Sequence, residues 1–185
     1  MSKRSRGGSL TGGTGDVSPQ WMSFVATQSA ADTTTTITQA IPVQRQNNRG
    51  LAQVLEVLKV LFERPSLVAG ASATEANDFF AITLSTSSFG TTATTLAEPR
   101  VFAGDSLQAQ FAFTAAGTYY MEHPRVVMYD LTDGAGHGVL VATDNIYAQV
   151  SSVTTGATNT YRIKILYRWK NVSLQEYIGI VQSQQ

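Results

Sequence analysis

Four cations stand at alternating positions late in the sequence: Arg162, Lys164, Arg168 and Lys170. With Leu166 between the two pairs, they alternate with Tyr161, Ile163, Ile165, Tyr167 and Trp169. A period of two predicts a strand with one buried face. Aromatic and β-branched side chains suit that half-buried surface. The opposite face then carries four of the 13 basic residues, with same-face neighbours about 6.8 Å apart. Cations at that spacing can follow a phosphate backbone without reading its sequence. The aromatic residues alternate onto the other side, so they belong to the core rather than to a base-stacking platform. The same row also fits a solvated outer face, or a strand paired with Asp or Glu of a neighbouring subunit.

Residues 1–20 hold a second basic group, Lys3, Arg4 and Arg6, followed by Gly7, Gly8, Gly12, Gly13 and Gly15. That composition buries too little apolar area to offset its ordering entropy, which predicts a flexible basic arm. The Lys3-Arg4-Ser5-Arg6 cluster suits a nucleic-acid contact or a nuclear-localisation signal. Other chemistry is thinly supplied. His123 precedes a proline and His137 lies in the glycine loop Asp133–Gly138, which reads as a tight hairpin turn. In a strand, Glu56 and Glu63 fall on opposite faces, so they make no catalytic pair; Asp130, Asp133 and Asp144 flank turns, where Asp is common. The chain has no cysteine, hence no disulfide framework or thiolate metal site. These features predict a protein that is not an enzyme and holds no cofactor and no metal.

The chain has 185 residues, enough for one domain and a sizeable core. Only 14% are charged, against roughly 25% in an ordinary soluble domain. Thr, Ser, Gln and Ala fill the gap, a composition expected of surfaces buried against copies of the same chain. Positive and negative charges cancel, so their local placement matters more than the total. No apolar run approaches the roughly 18 residues of a membrane span, and no membrane partner is expected.

After the arm, Trp21–Val25 is an apolar island, and the Thr-rich run 33–43 reads as an edge or entry strand because it contains Pro42. Leu51–Glu63 fits two templates. Helical spacing aligns Leu51, Val54, Leu55, Leu58, Leu61 and Phe62; strand spacing puts Val54, Leu58, Val60 and Phe62 on one face, with Glu56 intruding. Its valines, the missing side-chain cap at Gly50 and the strand-rich remainder favour a strand. Further strands are expected at 79–84, 106–114, 125–131 and 140–150, then at 161–169 and a last one from Leu174 to Val181. About eight strands with frequent turns and no βαβ alternation predict an all-β antiparallel sandwich, jelly-roll or immunoglobulin-like, spanning residues 21–185 behind the arm.

The run Arg49-Gly50-Leu51-Ala52-Gln53-Val54-Leu55-Glu56-Val57-Leu58-Lys59-Val60 resembles a strand of the capsid proteins of small circular Rep-encoding single-stranded DNA viruses. The layout is similar too: a basic arm, about eight strands and a charged aromatic strand near the end. The resemblance implies an eight-stranded jelly-roll shell domain. It further implies self-assembly into an icosahedral shell of sixty copies around single-stranded DNA, with the protein in the virion and, during assembly, in the host nucleus. On that reading Lys3, Arg4, Arg6, Arg162, Lys164, Arg168 and Lys170 are the nucleic-acid-binding residues. The arm is less basic than is usual in that group. Sixty copies of it supply about 180 charges, against on the order of a thousand or more genome phosphates. The alternative is a non-viral jelly-roll binding module, lectin-like or a trimeric receptor-binding domain.

Overall fold

Runs with alternating burial, broken by Thr-, Ser- and Gly-rich turns, become the strands of a sandwich. The computed structural model describes residues 18–41, 51–65, 76–114, 117–120, 125–153, 155 and 157–184. Its strands are β1 (Gln20–Thr27), β2 (Thr34–Ala40), β3 (Leu51–Glu63), β4 (Ala76–Ser85), β5 (Val101–Thr114), β6 (Gly117–Tyr120), β7 (Val126–Asp130), β8 (Val139–Val141), β9 (Asn145–Val153) and β10 (Thr160–Ser173), followed by helix α1 (Leu174–Ser183). One sheet has the order β1-β10-β3-β7 with β8 also on β3, and the other has β2-β9-β4-β5-β6; every pairing is antiparallel. Strands β7 and β8 lie in line along β3, so they count as one interrupted strand. With β6 as an extra edge segment, eight strands remain in two interleaved Greek keys, which is a jelly roll. The β1-β10-β3-β7/β8 sheet is referred to below as the first sheet.

The core lies between the sheets. Tyr161, Ile163, Ile165 and Tyr167 of β10 enter it, with Leu55, Val57, Val60 and Phe62 of β3 facing Phe80, Ile82, Leu84, Ile146, Ala148 and Val150 across the sandwich. Leu51–Glu63 is a strand, as its residue types favour, and β2 is a sheet edge, as expected of the Thr-rich run; Pro42 itself lies outside the described residues.

Four expectations are corrected. First, the faces of β3 switch. The register with β10 slips between Leu166 and Tyr167, so that Leu166 pairs with Lys59 and Tyr167 with Val57, leaving Leu58 as a bulge. Val57 and Val60 therefore both reach the core, while Val54 joins a separate small cluster and Leu58 stands outside the main core. The slip also puts Glu56 and Glu63 on one face, opposite Arg168 and Arg162. Second, the last segment is a helix. The Ser173 hydroxyl accepts from the backbone N–H of Glu176, the signature of an N-cap, and Tyr177, Ile180 and Val181 pack on Val54, Ala142 and Val172. Third, the Asp133–Gly138 loop joins two in-line halves and closes no hairpin. Fourth, the expected strand 140–150 breaks at Ala142–Asp144, where the chain passes between sheets. The arm residues Lys3, Arg4 and Arg6, and also His123, lie outside the described residues. Gln20, the last residue assigned to the arm, already pairs with Tyr167 in the sheet.

Candidate functional site

Strand β10 projects Arg162, Lys164, Arg168 and Lys170 from the outer face of the first sheet, while its odd-numbered residues through Tyr167 are buried. The predicted row therefore exists as one surface. It is not a row of four independent cations. Arg162 Nη1 lies 3.0 Å from Glu63 Oε1, which Arg125 also approaches at 3.5 Å. Arg168 Nε donates to Glu56 Oε2, and Lys170 Nζ stands 3.6 Å from Glu56 Oε1. On the neighbouring strands Lys59 pairs with Asp130 at 2.9 Å. The Thr132 hydroxyl, and after it Lys59, hold the Asp130 carboxyl down to about 2. Lys164 is exposed, and its side chain makes no hydrogen bond or ion pair with the described residues.

Glu56 is the centre of this surface and the residue that sequence reading set aside as an intruder. It is fully buried. Burial pushes its carboxyl up, but the Arg168 hydrogen bond, the Gly138 N–H and the charges of Lys170 and Arg168 outweigh it, and the group titrates below its ordinary value. Gly138 N–H donates to Glu56 Oε1 at 3.0 Å, and Arg168 Nη2 donates to the Gly136 carbonyl at 3.3 Å. One carboxylate and one guanidinium thus hold the loop that interrupts β7/β8. Inside the loop, Asp133 Oδ1 accepts from the N–H groups of Ala135 and His137, at 2.9 and 2.8 Å. A glutamate amid apolar strand residues, with basic residues on a second strand, is the available sequence signal; the pairing itself spans 112 residues of chain.

The edges of this face are largely apolar, with Ser23 and Thr27 among the exposed polar exceptions. Trp21, Val25, Val126 and Met128 are between 52% and 59% exposed, and all four project outward from the edge strands β1 and β7. Between Val25 and Val126 runs a groove of about 400 Å³ whose lining also includes Ser23, Leu61, Glu63, Arg162 and Lys164. A second polar group ties the two sheets together. Arg64 makes paired 2.7 Å hydrogen bonds to both oxygens of the buried Asp105, and the Tyr129 hydroxyl donates to the same carboxylate at 3.1 Å. The Tyr161 hydroxyl is buried without a hydrogen-bond partner among the described residues, and its burial, then the nearby Asp105 charge, raise its pKa.

No protein-family model matches the chain, and no curated protein matches its sequence. Solved structures do share its fold. The VP1 of Trichodysplasia spinulosa-associated polyomavirus, in complex with sialylated precision glycooligomers, is similar with a TM-score of 0.53 and 12% identity, over 86% of this chain and 97% of that one. The same VP1 in complex with GM1 oligosaccharide gives 0.52 at 11% identity, over 86% and 97%. Merkel cell polyomavirus VP1 in complex with disialyllactose gives 0.50 at 8% identity, again over 86% and 97%. At these identities the likeness is one of fold: this chain is a jelly roll of the kind found in polyomavirus VP1.

Proposed function

We propose that this protein is a viral capsid subunit that assembles with copies of itself into a closed shell around nucleic acid. The observation that carries the reading is the jelly roll, similar to VP1 structures over 86% of the chain. A scarcity of charge and the exposed apolar side chains of Trp21, Val25, Val126 and Met128 on the outer face support self-association. Sixty copies, single-stranded DNA as the cargo and residence in the virion extend the same reading. Within it, Lys3, Arg4 and Arg6 are the primary phosphate contacts. Arg162, Arg168 and Lys170 are largely committed to carboxylates, so the β10 row serves better as a subunit contact than as a phosphate track.

Electron microscopy and sedimentation of the purified protein test the reading. Closed particles far above 19.9 kDa are expected at neutral pH and micromolar concentration. A monomer across a range of salt would overturn it, and a small fixed oligomer would favour the binding module instead. Deleting residues 1–17, which stops short of β1, should leave the melting temperature almost unchanged. The resulting particles should hold less nucleic acid, read from the ratio of absorbance at 260 and 280 nm.

A further inference from the structure

The outer face of the first sheet is covered at one end and open at the other. Helix α1 sits over Val54 and Val172, at the Leu51 end of β3. The groove around Leu61 lies about seven residues further along, on the order of 23 Å away. A projecting helix and an uncovered groove on one face are the two halves of a two-fold contact.

Charge and shape identify the occupant. Lys164 and Leu61 line the groove together with Val126, and Met128, at its rim, continues the row from Lys164 through Leu61 across β10, β3 and β7. Two strand spacings separate Lys164 from Met128, about 9.6 Å, which matches the roughly 10 Å width of a helix. Helix α1 carries the complementary set. At about 100° per residue, Leu174 and Ile178 lie on one flank and Glu176 on the other, with Gln175 and Gly179 on the crest between. Leu174 and Ile178 are 55% and 54% exposed. Glu176 is exposed and has no side-chain partner among the described residues, as is true of Lys164. An added Cβ at Gly179 would meet nothing within 4 Å, so the crest is open to close approach at that turn.

We propose that helix α1 of one copy seats in the Leu61 groove of a second copy, and the second copy's α1 in the first, in a two-fold dimer. Leu174 and Ile178 lie against Met128 and Val126, and Glu176 pairs with Lys164. Helix anchors at i and i+4 entering an apolar groove are a recurring recognition mode. The inference rests on the capsid reading and names one of the contacts that the shell needs.

Charge reversal on the full chain tests it. Lys164→Glu and Glu176→Lys, each alone, should weaken the dimer by at least about tenfold by sedimentation equilibrium, because each sets like charges together at the contact. The double reversal should restore affinity to within about threefold of wild type. Because the chain has no cysteine, a Met128→Cys/Ile178→Cys variant provides a second readout. A short bis-maleimide should link its copies into covalent dimers. Unchanged single reversals, or an absence of both rescue and cross-linking while wild type still forms shells, would overturn the two-fold seating and leave the capsid reading intact. A wild-type protein that stays monomeric would overturn both.

Discussion

Replacing Arg168 and Lys170 together with Gln is expected to destabilise the fold by about 3–5 kcal/mol at pH 7, the usual cost of leaving a buried charge without its partners. Glu56 is fully buried, whereas the Arg168 and Lys170 side chains keep 21% and 30% of their surface exposed. The two sides of the pair are therefore unequal. Glu56→Gln leaves two cations that water can reach, and its amide oxygen can still accept from Gly138 N–H, so it should cost clearly less than the double change. The pH dependence separates this explanation from a simple loss of packing. In the wild type the folded-state pKa of Glu56 lies below its ordinary value. Its stabilisation is present above the unfolded pKa of about 4.3 and is lost as pH falls through the folded value. In the double variant burial acts unopposed by the two cations and raises the folded pKa, so that protonation favours folding. The gap between wild type and variant should thus be widest near pH 7 and narrow towards pH 4, measured by urea unfolding at each pH. A gap independent of pH would mean that the Arg168 and Lys170 stems, rather than their charges, supply the stability. The same variant would make a misleading test of nucleic-acid binding, since its fold is compromised first.

Much of the fold was legible because burial follows the period of the backbone. The alternation from Tyr161 to Tyr167 located β10 and its outward cations, and the expectation of an edge strand in the Thr-rich run agrees with the place of β2. Two local devices hid the rest. The bulge at Leu58 shifts β3 by one residue, so no single strand template could place Leu55, Val57, Val60 and Phe62 on one face. At the chain's last element, Leu174, Ile178 and Ile180 satisfy period two, while Tyr177, Ile180 and Val181, the set that packs, fall at the i, i+3, i+4 spacing of a helix. The cap at Ser173, with Glu176 three residues on, decides between them. The candidate site was half legible. Cation positions follow from alternation within one strand, but their carboxylate partners sit on β3, and no local pattern connects the two. Glu56 looked like a defect in an apolar strand because the residues that satisfy it, Arg168 and the Gly138 N–H, are 112 and 82 positions away.

Gly138→Ala should be the most damaging single methyl addition among the described glycines. A Cβ there would stand 2.0 Å from the Val57 carbonyl oxygen and 2.7 Å from its carbon, with Leu58 Cδ2 at 3.1 Å. The obstacle is backbone rather than the tip of a flexible side chain, so β8 must move away from β3 at Val57, where the Val139 pairing begins. That shift also pulls Gly138 N–H off Glu56 and leaves a buried carboxylate short of a donor. Overpacking of this kind costs about 1–3 kcal/mol and the lost donor a further 1–3, giving roughly 2–6 kcal/mol in all. Gly134→Ala is the matched control: it lies in the same loop, its added Cβ meets nothing within 4 Å, and its stability should stay within about 0.5 kcal/mol of wild type. Gly136 is a poor control because its φ of +82° would strain any side chain. Equilibrium unfolding of the two variants decides the matter. Equal stability would mean that the loop is free to lift from β3, and Glu56 would then hold Arg168 and Lys170 alone rather than the loop as well.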